Sequence, residues 1–312
     1  MNMTRPQISV VIPVRNEGSR LAITLRSIAQ GRSCLFPLEI VLVDDASDDG
    51  CCDSVRTLFN ATRDRIALQI IRLGTWSGIP YARNFGAAAA TAEILFMTDG
   101  NVIFPRNWDL PIRQRLRPGL ALCATIADLE SSFRGYGCTL LLPSMGVQWL
   151  RSPDIYGGYA PIAPCAGTIL STSLFRQVGG YDTTMPVYGA AEPEFSVRLW
   201  LSGAKIIVAP QLLLSHRFRP AYEHSSFLAD IAQIQVQNYL LFSLLYLDER
   251  SFLETVGHYS RRDFASTQTA LRALDTKDVW NHRLQLAMDL PRTFEDFERR
   301  FHIRCNSTYS AN

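Results

Sequence analysis

The sequence lacks a disulfide framework. Its seven cysteines are odd in number, scattered apart from the neighbours Cys51 and Cys52, with neither a two-residue Cys spacing nor a Cys/His cluster of zinc type. A reducing, cytoplasmic setting is the expectation. Met1 to Gln7 holds no apolar core of the signal-peptide kind, so secretion is not expected. No clean run of roughly 20 apolar residues occurs; the most apolar late stretch, Ile231 to Leu247, is broken by Gln233, Gln235, Gln237 and Asn238 and reads as a packed helix, not a transmembrane segment. An excess of one charge is missing too. Lysine and arginine total 31 against 29 acidic residues, a net charge of +2, which supplies no field for nucleic acid or an anionic membrane. A GxxxxGK[ST] phosphate loop is absent, and Gly135-Tyr136-Gly137 lacks the third glycine of the dinucleotide fingerprint. There is no internal repeat or low-complexity segment.

What is present is ordinary globular material. With 47% apolar and 19% charged residues over 312 positions, the chain can bury a sizeable core, and its length fits one large α/β unit carrying an extension. Four β-branched runs, Ile8 to Val14, Glu39 to Asp45, Leu68 to Leu73 and Glu93 to Thr98, are nearly continuously apolar, the pattern of strands buried on both faces. Helical periodicity fills the gaps at Ser19 to Gln30, Asp53 to Asp64 and Ile79 to Ala92. This alternation implies right-handed crossovers and a mostly parallel, Rossmann-like sheet with helices on both faces. Asp128 to Pro164 reads as irregular structure with one short strand, Thr139 to Leu142. A second ordered block follows, with a strand at Thr168 to Ser171, a turn at Gly179-Gly180, a helix from Glu192 to Ser202 and a strand at Ile206 to Val208. Beyond residue 220 the pattern is helical.

Acidic residues mark the carboxyl ends of two of these strands, Asp44-Asp45 after the second and Asp99 after the fourth, at the edge where such sheets bind ligands. One Asp after a strand is as well explained as a turn former. Two at the same edge fit a hard divalent cation and its diphosphate, because Mg²⁺ and Mn²⁺ favour oxygen ligands.

The residues also carry a resemblance. Ser9-Val-Val-Ile-Pro-Val-Arg-Asn-Glu17, Ile40-Val-Leu-Val-Asp-Asp-Ala-Ser47 and Ser77-Gly-Ile-Pro-Tyr-Ala-Arg-Asn84, followed by Asp99-Gly-Asn101, resemble a family 2 type nucleotide-sugar glycosyltransferase of the A-type fold. Gly179-Gly-Tyr-Asp182, the run Tyr188 to Trp200 and Ser215-His-Arg-Phe-Arg219 are similar to the later motifs of the polypeptide N-acetylgalactosaminyltransferase catalytic domain. Together these motifs cover about residues 8 to 220, which gives a catalytic domain at 1–220 and a helical C-terminal extension at 221–312.

By position, the resemblance implies that Pro13, Glu17, Asp45 and Arg83 line the nucleotide pocket and that Arg219 faces phosphate. Asp99 matches the first ligand of a D-x-D or D-x-H metal motif, and His216 matches a further manganese ligand. Asn101 stands where the second motif ligand should be, a neutral and weaker donor than carboxylate or imidazole. The implied cofactor is Mn²⁺, with Mg²⁺ as the alternative ion. Glu192 takes the place of the base of inverting relatives, whereas retaining relatives carry Asn there; Glu194 is the second candidate catalytic acid, and the preceding acidic position is Ala191. Helix-start chemistry alone also accounts for acids in this first turn. Trp76 and Trp200 read as packing residues before sugar platforms.

The expectation is therefore a cytoplasmic glycosyltransferase that takes a nucleotide-sugar donor, a UDP-sugar first, and a peptide, glycan or small-molecule acceptor, inverting through Glu192. The loop from Arg217 to His224 would close over the donor. Its rivals are retaining transfer, a nucleotidyltransferase, for which Pro13-Val-Arg-Asn-Glu-Gly18 has the wrong loop composition, and a non-catalytic nucleotide-sugar-binding scaffold, supported by Asn101 and Ala191.

Overall fold

The computed structural model describes residues 6–59, 61–218 and 221–303. Eleven strands occur among them: β1 Ile8–Val14, β2 Leu38–Asp45, β3 Ile66–Leu73, β4 Ile94–Met97, β5 Val102–Ile103, β6 Leu120–Asp128, β7 Arg134–Gly135, β8 Cys138–Leu141, β9 Gly146–Trp149, β10 Thr168–Ser171 and β11 Lys205–His216. The main sheet runs β3-β2-β1-β4-β10-β6-β11-β5, with β7 added to β6, and β8–β9 form a separate hairpin. β3, β2, β1 and β4 are parallel, as are β6 and β11; β10 lies antiparallel between the two groups.

The continuous apolar character of the central strands follows from a core on each face. Ile8, Val10, Ile12 and Val14 of β1 face one cluster with Leu21, Leu25, Ile28 and Trp108, while Val11 faces the other with Ala82 and Ala87. β2 divides in the same way, Leu38, Ile40 and Leu42 against Val41 and Val43. β3 departs from expectation: it is the sheet edge, and most of it is only half-buried.

The four N-terminal strands, the helices Arg20–Gln30 and Ile79–Ala89 and the helix Ala191–Leu201 lie where the periodicity predicts. The expected helix over Asp53 to Asp64 is instead two short helices, Cys51–Ser54 and Ala61–Asp64. β6 is wholly unanticipated, because Leu120–Asp128 is rich in alanine and carries few β-branched residues. The region expected to be irregular holds the β8–β9 hairpin, and β11 runs on to His216.

Among the described residues, six helices follow residue 220: Ala221–Asp230, Ala232–Tyr246, Glu249–Ser260, Phe264–Leu274, Lys277–Asp289 and Phe294–Phe301. Their buried side chains, including Leu240, Phe242, Phe297 and Phe301, join the same cluster as Phe195, Leu199 and Trp200 of the Ala191–Leu201 helix. Arg292 donates its backbone N–H to Leu201 O and Nη1 to Trp200 O, both at 3.2 Å. The helical extension and the sheet thus share one core. Among the described residues no helix is long and apolar enough to cross a membrane.

Candidate functional site

The carboxyl ends of β1, β2 and β4 and the far end of β11 meet at one edge of the sheet. At β2, Asp45 is buried and its carboxylate accepts the backbone N–H of Ser77 at 2.7 Å and of Gly78 at 2.8 Å. This fixes the loop that starts the Ile79–Ala89 helix. Gly78 has φ +89°, and a Cβ there would meet Val187 Cα at 2.2 Å, so glycine is required. The loop after β1 is laced to the loop after β2. Arg15 Nη1 donates to Asp45 O at 2.8 Å, Gly18 N–H to Asp49 at 2.8 Å, and Asp48 N–H to the Asn16 side chain at 3.0 Å. Asn16 and Ala46 take left-handed φ values of 54° and 58°, local strain held by these bonds. Pro13 sits near the end of β1, half-buried, and Glu17 pairs with Arg20 at 3.1 Å while its side chain covers Gly100.

Asp99 follows β4. Its Oδ2 lies 3.8 Å from Nε2 of His216, the last residue of β11, and its Oδ1 accepts Arg83 Nη2 at 2.8 Å. Asn101 is what seals this corner: its side-chain amide donates to Arg217 O at 3.0 Å and its backbone O accepts Arg217 N–H at 3.2 Å, next to the β5–β11 pairing of Val102 with His216. Burial pushes the Asp99 carboxyl up, but the facing His216 ring and Arg83 outweigh it and hold it below the ordinary carboxylate range.

Arg83 is fully buried, deeper than a pocket-lining residue, and joins two acids: Nη2 reaches Asp99, and Nη1 donates to Glu192 Oε1 at 2.7 Å. Burial raises the Glu192 carboxyl above its ordinary value, with Arg83 and the Cys165 thiol acting the other way. Glu192 thus lies one guanidinium away from Asp99. Glu194, expected beside it as a second catalytic acid, has a structural place instead. It is fully buried and holds Arg198 through both oxygens, at 2.6 and 2.8 Å, and it accepts the Tyr246 hydroxyl. Helical geometry explains the split: two residues apart, the pair points to different sides of the helix.

Other side chains also line this edge. The Arg15 guanidinium stacks on the exposed Trp76 ring at 4.7 Å, so Trp76 packs at the rim, in line with the expectation of a packing residue. Tyr181, of the Gly179–Asp182 motif, lies under Arg83 at 5.5 Å, and Cys165 adjoins Glu192. Trp200 is packing, as expected, between Phe301 and Arg300. Arg219 lies outside the described residues, as does part of the Arg217 to His224 loop.

Residues 9–136 match the sequence model of the family described as Glycosyl transferase family 2. Over that stretch the chain is similar to family 2 glycosyl transferases. Polypeptide N-acetylgalactosaminyltransferase 8 of Drosophila melanogaster is 29% identical over 232 residues, 69% of this chain and 38% of that protein, so the chain spans well under half of that relative. The structure of GalNAc-T7 with UDP, GalNAc and Mn²⁺ superposes with a TM-score of 0.72 at 19% identity, covering 98% of this chain and 58% of that one. The mannosyltransferase PcManGT from Pyrobaculum calidifontis, in complex with GDP-Man and Mn²⁺, gives a TM-score of 0.56 at 18% identity, covering 92% and 86%. The A-type glycosyltransferase fold is common to all three.

Whether these residues suit a divalent cation is decided by the donors. Among the described residues no three His, Cys, Asp or Glu side chains cluster closely enough to hold an ion unaided. Asp99 Oδ2 and His216 Nε2, 3.8 Å apart, can both reach one ion with bonds of about 2.0–2.2 Å. With oxygens from a diphosphate, these two donors suit Mn²⁺ or Mg²⁺ bound together with its nucleotide.

Proposed function

We propose that this chain is a glycosyltransferase that moves a sugar from a nucleotide-diphosphate donor, a UDP-sugar first, to an acceptor nucleophile. The observation that carries this reading is the convergence of Asp99 and His216, from distant parts of the chain, at the ligand edge of the sheet. UDP with Mn²⁺ in GalNAc-T7 and GDP-Man with Mn²⁺ in PcManGT support the donor class. Asp99, Asn101 and His216 would hold Mn²⁺, with Mg²⁺ as the alternative; when bound, the cation neutralises charge on the departing diphosphate.

The chain's own residues would do the rest. Pro13, Glu17 and the Asp45-ordered Ser77–Gly78 loop form the nucleotide wall, and Arg15 on Trp76 offers a flat cationic face at its rim. Glu192 would take the acceptor proton as the nucleophile attacks the anomeric carbon, giving inversion by direct displacement. Burial raises its carboxyl above the ordinary value, which makes it a stronger base than a solvated carboxylate. The helices after residue 220 would form part of the acceptor side. A peptide acceptor is favoured by the name of the Drosophila relative, ahead of a glycan or small metabolite. The unpaired state of Cys34, Cys51, Cys52, Cys123, Cys138 and Cys165 favours a reducing, cytoplasmic compartment.

One observation favours a second reading. With Asn101 in place of a charged ligand, a domain that binds nucleotide-sugar without turnover is the alternative. A donor screen across UDP- and GDP-sugars with Mn²⁺ and Mg²⁺, read by mass spectrometry of released nucleotide and of product stereochemistry, separates the two. Release with an inverted product supports the primary reading, a retained product removes the Glu192 base, and binding with no release for any donor supports the scaffold.

A further inference from the structure

Arg83 is a fully buried cation of the site, held between Asp99 and Glu192. It lies in the second turn of the Ile79–Ala89 helix, whose start is pinned by Gly78 against Val187 and by Ile79 N–H donating to Val187 O at 2.9 Å. The next residue, Asn84, clasps Tyr181 in both directions: Nδ2 donates to Tyr181 O at 2.7 Å, and Tyr181 N–H donates to Asn84 Oδ1 at 2.8 Å. Gly180, with φ +70°, lets this clasp close, since a Cβ there would meet Asn84 Oδ1 at 2.6 Å. The Tyr181 ring so placed underlies the guanidinium. Arg83 Nε, buried without a hydrogen-bond partner, leaves the two terminal nitrogens as its working groups.

We propose that Arg83 is a positioning residue whose fork claims one oxygen from each of two carboxylates, Oδ1 of Asp99 and Oε1 of Glu192, and so reserves Oδ2 of Asp99 for the cation and Oε2 of Glu192 for the acceptor proton. The inference rests on the donor and base reading given above. A planar guanidinium can serve two acids in fixed directions at once, whereas an ammonium serves as a point charge. The arrangement makes Asp99 a one-oxygen ligand. It also links the two halves of the site: the charge of Arg83 is divided between Glu192 and Asp99, so neutralising Glu192 throws all of it onto the cation's ligand.

The test is Mn²⁺ binding, followed by the electron paramagnetic resonance signal of the free ion in the presence of UDP, alongside transfer kinetics. Arg83→Lys keeps the charge and loses the fork; Mn²⁺ affinity is expected to fall about 10–100-fold, as for other partners that orient a metal ligand, and kcat to fall with it. Glu192→Gln is nearly isosteric and touches no metal ligand, which keeps the test clear of misfolding. It is expected to weaken Mn²⁺ binding about tenfold, the effect of one unit charge lost across a partly buried site. Unchanged Mn²⁺ affinity in Glu192→Gln, or parental affinity and kcat in folded Arg83→Lys, would overturn the bridge and leave the donor reading standing. Failure of the unaltered chain to bind Mn²⁺ with UDP would overturn both.

Discussion

Asp45 and Gly78 are joined by a hydrogen bond of 2.8 Å from the Gly78 N–H to the Asp45 carboxylate, and Ser77 adds a second at 2.7 Å. A strand end thus builds the loop beside it before any nucleotide arrives. Asp45→Ala would strand both amide donors. Each orphaned buried donor costs about 1–3 kcal/mol, so a clear fall in melting temperature is expected together with loss of UDP binding, and Asp45→Asn should lie between. Thermal denaturation with and without UDP measures both effects; a variant of parental stability would show that the loop is held by other contacts.

Asn101 is the weakest member of the proposed cation set. Asn101→Asp would replace a neutral carbonyl by a carboxylate, and Mn²⁺ binding should tighten by about tenfold or more. The same calorimetric or resonance titration that serves the parent chain reads this out. Unchanged or weaker binding would place the Asn101 side chain outside the cation's reach and leave it as the clamp on Arg217.

Glu192 gives a pH signature. As a base it works only when ionised, and its carboxyl is raised above the ordinary value of 4.5, chiefly by burial. The acidic limb of the kcat/KM profile should therefore fall above pH 4.5 and vanish in Glu192→Gln, whose rate should drop about 10²–10⁴-fold. The stability contributions of the two linked acids have opposite signs. For Glu192, raised in the folded state, stability is fully present below pH 4.5 and lost as pH rises through the folded value. For Asp99, lowered in the folded state, it is present above pH 3.8 and lost as pH falls through the folded value. A limb that persists in Glu192→Gln would assign the titration to another group.

The helices after residue 220 are predicted to unfold with the sheet. Phe301 is buried against Trp200, with ring centroids 4.9 Å apart, and shares their cluster with Phe195. Phe301→Ala should cost about 3–5 kcal/mol, seen as one cooperative transition at lower denaturant. Two separate transitions in the parent chain would make the extension an independent domain.

Much of this was legible in the sequence, for reasons the structure makes plain. β1 and β2 are sandwiched between two cores, so their side chains on both faces are apolar and the runs stand out. β6 is also buried at its centre, but alanine at three of its nine positions and few β-branched residues mask its pattern. Of the site, Asp99 and His216 could be paired only through the resemblance, since no local period connects β4 with β11. Arg83 and Glu194 were legible as charged residues in motifs. Burial was not, because whether a charge faces the cleft or the core depends on what packs over its helix, here Tyr181 for one and Tyr246 for the other.

The most direct measurement is calorimetric titration of UDP into the protein with and without Mn²⁺, repeated for Asp99→Ala and His216→Ala. UDP binding strengthened by Mn²⁺ in the parent chain, with that enhancement lost in both variants, is the predicted result. Equal UDP affinity with and without Mn²⁺, or an enhancement that survives both substitutions, would contradict the account.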